Sequence, residues 1–119
     1  MPTDWMEMIK SVSASLRDLR QGSSDVIKAF ARVAQAALHE NAFDKKSKEL
    51  IALAISVATR CDDCIAFHAK AAVEQGASAA EIFETLGMAI YIGAGPSVRY
   101  AAHAIDAYEQ IAERAKEPA

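Results

Sequence analysis

Cysteine is scarce in this chain: only Cys61 and Cys64 are present among 119 residues, so it can form one internal disulfide and no disulfide framework. Basic charge is not concentrated either. Thirteen Lys and Arg stand against sixteen Asp and Glu, a formal net charge of -3. There is no basic stripe of the kind nucleic-acid binding needs and no charged tail. The opening Met1-Pro2-Thr3-Asp4-Trp5 carries an acid where a secretory leader would carry positive charge followed by an apolar run. The uncharged stretch Leu86 to Val98 is too short for a membrane span and is interrupted by Gly93, Gly95 and Pro96. Strand alternation, internal repeats and low-complexity linkers are also missing. These absences predict a cytoplasmic protein without nucleic-acid or membrane partners, folded as one domain over residues 1–119. In a reducing cytosol, a CxxC pair points to catalysis or metal binding more than to a permanent bridge.

What the chain has in quantity is apolar residues at helical spacing. Trp5, Ile9, Val12, Leu16 and Leu19 form one stripe, closed by Gln21-Gly22-Ser23. Val26, Phe30, Val33 and Ala37 form a second that ends near Asn41. A third helix is predicted from an N-cap at Asp44 through the run Leu50 to Ile55 toward Arg60, apolar on most faces and therefore central. A fourth covers Asp62 to Gln75 and stops at Gly76. Ser78-Ala79-Ala80-Glu81 has the pattern of a capping box and opens a fifth. Gly93-Ala94-Gly95-Pro96 should break that helix, with a sixth from Ser97 to Lys116. The expected fold is all-α, a bundle of about six helices with the CxxC at the start of the fourth. Heavy alanine use gives little buried area per residue, which leaves apolar surface for another copy of the chain.

The chemistry concentrates at Cys61-Asp62-Asp63-Cys64-Ile65-Ala66-Phe67-His68. Cys64 should lie in the first turn of its helix, where unpaired N–H groups and the positive end of the macrodipole favour a thiolate. A stabilisation of about 1–2 kcal/mol would lower a thiol pKa by roughly one unit. Asp62 and Asp63 oppose this, and their expected work is capping. His68 follows Cys64 by four positions, on the same helical face, and can carry a proton to or from the sulfur. If the third and fourth helices form an antiparallel hairpin, Glu49 lies about 16 Å back from the turn and His68 about 10 Å along the return. The offset of about 6 Å can be bridged by two long side chains at normal helix separation. This gives an ordered chain of carboxylate, imidazole and thiol. The competing view makes Glu49 a solvated residue paired with Lys45 or Lys46, and His68 a half-buried histidine bonded to a carbonyl. His39 and His103 are expected to be ordinary surface or packing residues, and Tyr91, Tyr100 and Tyr108 core or interface. Trp5 is expected to anchor the first helix.

The segment Lys48-Glu49-Leu50-Ile51-Ala52-Leu53-Ala54, then Cys61-x-x-Cys64-x-x-x-His68, then Gly76-Ala77 and Glu81-Ile82, resembles the carboxymuconolactone decarboxylase family. Within that family it is similar to the alkyl hydroperoxidase D-like branch, over roughly residues 40 to 110. The resemblance implies an all-helical bundle that assembles into trimers or hexamers and reduces a small-molecule peroxide with thiols. It implies Cys64 as the peroxidatic cysteine, Cys61 as resolving partner, and Glu49 with His68 as proton relay. A dithiol or thioredoxin-like protein would be the reductant, and no cofactor or metal is called for. The chain departs from the branch at Asp63, where a second histidine would precede the peroxidatic cysteine. Three alternatives remain: a general disulfide oxidoreductase, a decarboxylase-type lyase, and a zinc-binding structural module using Cys61, Cys64 and His68.

Overall fold

The computed structural model describes residues 3–117, and among them every regular element is a helix. The five are α1 (Trp5–Gly22), α2 (Ser24–Leu38), α3 (Lys45–Ala58), α4 (Asp62–Glu74) and α5 (Ala79–Ala115). Three start where an acceptor side chain meets an orphan amide. Asp4 accepts from Glu7 at 3.0 Å, Asp44 from Ser47 at 2.8 Å, and Ser78 from Glu81 at 3.1 Å. Glu81 returns the favour by accepting the Ser78 amide at 2.9 Å, which completes the capping box.

α4 starts at Asp62 as expected, but neither aspartate is its cap. The N-cap of α4 is Cys61, whose sulfur accepts the Cys64 N–H at 3.2 Å, while Asp62 and Asp63 lie in the first turn. The cap position needs extended backbone, and Cys61 is the residue leaving the preceding turn in that conformation.

α5 joins two helical stretches across a kink in the Gly93–Pro96 segment, so the break expected there is present and the roughly six expected helices stand as five elements. Ala94 alone leaves helical geometry, at φ 54° and ψ -140°, and Pro96 follows inside the helix. Gly93 is required there: a Cβ would overlap Ser97 Oγ, and Ser97 is buried. The chain resumes its helix at once, so the bend is a kink and not a connecting loop.

The core is formed where α3, α4 and α5 meet, with Trp5 and Ile9 of α1 closing one side. Eight of its sixteen buried apolar residues are alanines, so helix backbones approach closely but each contact buries little surface. Trp5, Leu53, Ile65, Ile82 and Val57 are its largest fully buried apolar side chains. Trp5 is buried, donating from Nε1 to Asp106 at 2.8 Å and from its amide to Gln110 at 2.9 Å. It anchors α1 to α5.

Apolar surface stays bare on α2, α3 and the middle of α5, where Met88 and Ile92 are exposed. α2 buries no residue at all, and its stripe is solvent-facing, with Phe30 67% and Val33 62% exposed. α3 packs on α4 and α5 with one face, but Ile51 and Ile55 on the other are exposed, so its all-round apolar character exceeds what this chain covers. The radius of gyration, 14.6 Å, sits above the roughly 13.5 Å expected for a compact chain of this length, in keeping with a helix held off the body. No helix of the described residues is long and apolar enough to cross a membrane.

Candidate functional site

The turn between α3 and α4 sets the site. Arg60 adopts a left-handed φ of 58°, and two amides bond back into α3: Arg60 to the Val57 carbonyl at 3.1 Å and Cys61 to the Ser56 carbonyl at 3.0 Å. This is a Schellman closure, for which glycine is the usual residue. The far end of α4 uses the same device with glycine: Gly76 at φ 82°, with Gly76 bonded to Val73 and Ala77 to Ala72. A side chain in the left-handed region costs about 1–2 kcal/mol, so Arg60 holds a less favourable conformation directly before the dithiol.

Cys61 leaves that turn in extended conformation, and Cys64 follows one helical turn later with a Cα–Cα separation of 5.3 Å. The two form a disulfide. Cys61 is thus fixed through both its amide, bonded to Ser56, and its sulfur, which accepts from Cys64.

The hairpin of α3 on α4 brings His68 Nδ1 to 2.8 Å from Glu49 Oε1. The Glu49 side chain is 7% exposed and that of His68 is 28% exposed. Glu49 is therefore neither solvated nor paired with a lysine; Lys46 instead pairs with Glu81 at 2.8 Å. That ion pair holds the Glu81 carboxyl below its ordinary value, helped by the Ser78 amide, and raises the Lys46 ammonium above its own. Against an ionised Glu49, which can only accept, the Nδ1 of His68 must carry the hydrogen. Nε2 takes no part in this bond.

A second pair went unforeseen in the sequence. His103 Nδ1 lies 2.9 Å from Oδ1 of Asp62, one of the two residues between the cysteines. The partners are 41 residues apart with no local motif to announce them. His39, by contrast, is exposed at the end of α2. Tyr91 is exposed, whereas Tyr100 and Tyr108 pack against the core. Among the described residues no group of three or more His, Cys, Asp and Glu side chains is gathered as metal ligands.

These features define a small helical dithiol protein whose disulfide opens a helix. The family model described as carboxymuconolactone decarboxylase matches residues 24–107. A solved carboxymuconolactone decarboxylase family protein from Legionella pneumophila superposes with a TM-score of 0.89 at 42% identity, covering 91% of this chain and 96% of that one. Another, from Thermotoga maritima and named for a possible part in antioxidative response, gives a TM-score of 0.82 at 30% identity over 92% and 93% of the two chains. An uncharacterized Haemophilus influenzae protein is 41% identical over 91% of this chain and 96% of its own length. The chain belongs to the carboxymuconolactone decarboxylase family.

Proposed function

We propose that this protein is a thiol-dependent peroxidase of the alkyl hydroperoxidase D-like branch. The observation that carries the reading is the Glu49–His68 contact one turn beyond a disulfide-forming CxxC. Starting from the reduced pair, the Cys64 thiolate attacks the terminal oxygen of a hydroperoxide. The O–O bond breaks, the alkoxide takes a proton and leaves as alcohol, and Cys64 becomes a sulfenic acid. The Cys61 thiol then attacks that sulfur, releasing water and closing the disulfide. An external dithiol, of a small molecule or a thioredoxin-like protein, donates two electrons and two protons to reopen it. His68 shuttles the proton at Cys64, and Glu49 holds its ring by Nδ1. The antioxidative role suggested for the Thermotoga relative agrees with this cycle. Cys64→Ser and Cys61→Ser should each abolish steady-state peroxide consumption. Full activity in both would end the proposal.

A second reading is favoured by one observation: the sulfur that accepts a helix amide is Cys61, not Cys64. A thiolate there would attack external disulfides, making the protein a general disulfide oxidoreductase. Comparing peroxide consumption with reduction of a model disulfide separates the two. Under the first reading, peroxide turnover is much the faster.

The same reading includes self-association as a trimer or hexamer. A second copy is the natural cover for α2, whose Val26, Phe30 and Val33 face solvent, and for the exposed Ile51 and Ile55 of α3. Sedimentation velocity should find an oligomer that Phe30→Asp dissociates. A native chain sedimenting as a monomer would overturn this part.

A further inference from the structure

Asp62 is the first residue of α4 and sits between Cys61 and Cys64. As an acid in the first turn it favours the helix, yet its charge disfavours a thiolate on either neighbour. Oδ1 of Asp62 accepts from Nδ1 of His103 on α5 at 2.9 Å. An ionised carboxylate only accepts, so the hydrogen of this bond belongs to the imidazole. His103 is itself held in place. Tyr100 packs edge-on against its ring at a centroid distance of 4.9 Å, and Trp5 lies tilted at 6.2 Å. Trp5 is in turn buried and bonded to Asp106 and Gln110 of α5. The side chain of the neighbouring Asp63 is exposed and makes no hydrogen bond among the described residues.

We propose that His103, acting through Asp62, is a positioning residue of the redox site: it turns the carboxylate between the two cysteines toward α5 and so lessens the negative charge felt by the reduced dithiol. Asp62 keeps its favourable place at the helix start, while the sulfurs are relieved of part of its field. The inference rests on the proposed dithiol chemistry. It is tested without peroxide, so its failure and that of the peroxidase reading are distinguishable.

The test is the dithiol–disulfide equilibrium of the full chain against a glutathione couple at pH 7, with thiols trapped by alkylation. His103→Ala should shift the equilibrium constant about threefold toward the disulfide, about 14 mV at 29.6 mV per tenfold. Asp62→Asn should shift it in the opposite direction by about as much. In the Asp62→Asn background, His103→Ala should add nothing, because its effect runs through that carboxylate. His103→Gln, whose amide can still donate to Asp62, should give a smaller shift of the same sign as His103→Ala. It also completes the cycle if the alanine variant does not fold. Shifts of one sign for both Asp62→Asn and His103→Ala, no shift for His103→Ala, or an equal His103 effect in both backgrounds would overturn the proposal.

Discussion

Two carboxylate–imidazole pairs flank α4, nearly equal in bond length and unequal in depth. Glu49 and His68 meet at 2.8 Å with the acid 7% exposed; Asp62 and His103 meet at 2.9 Å with the acid 38% exposed. The bond itself is the same, so what distinguishes the pairs is the medium around it. A buried acid has no water to turn to, and losing its partner leaves a desolvated group unsatisfied. A half-exposed acid is hydrated whether or not the histidine is there. On the proposed reading, depth suits the inner pair to holding an imidazole rigidly for proton transfer, and the outer pair to modest adjustment of charge.

The largest test of that contrast is catalytic. Glu49→Gln should lower peroxide turnover about a hundredfold, the scale of a general acid–base contribution, whereas Asp62→Asn should change it by less than about tenfold. Steady-state kinetics with one reductant would measure both, and equal losses would erase the distinction. Stability comes next. Glu49→Ala should cost about 1–3 kcal/mol in urea unfolding of the oxidised protein, and Asp62→Ala under about 1 kcal/mol. A reversal of that order would mean that burial is not the deciding variable. Salt sharpens the same point at smaller scale. The coupling between Asp62 and His103, measured by a double-mutant cycle, should fall as ionic strength rises, while that between Glu49 and His68 should hardly change. The smallest effect lies outside both pairs, at Glu81. Lys46 and the Ser78 amide depress its carboxyl below the ordinary 4.5, so its stabilisation is present above that value and disappears as pH falls through the lowered one. Glu81→Gln should thus be slightly less stable than the native chain at neutral pH, with the difference closing in acid thermal melts.

Much of this arrangement was legible in the residues because local rules govern it. The caps at Asp44 and Ser78, the stop at Gly76 and the bend at Gly93 to Pro96 each depend on a few adjacent positions. The Glu49–His68 contact follows from helix rise along one hairpin, a distance that arithmetic can supply. The Asp62–His103 contact does not. It depends on how α5 lies after the Ala94 kink, and no spacing rule carries through a kink. Capping by Cys61 was hidden for another reason: Asp62 and Asp63 are better cap residues by type, but the Arg60 turn delivers the cysteine to that place. The bare stripe of α2 was equally hidden, since its periodicity predicts an apolar face without saying what would cover it.

The doubly tethered Cys61 also makes the stretch from Glu49 a ruler. One residue added between Thr59 and Cys61 would disrupt the Arg60–Val57 and Cys61–Ser56 bonds that close the turn, and with them the register that sets His68 against its acid. The eleven residues separating Glu49 from Cys61 thus set the alignment of the two helices at the dithiol, and lengthening that interval should lower the proposed peroxide turnover.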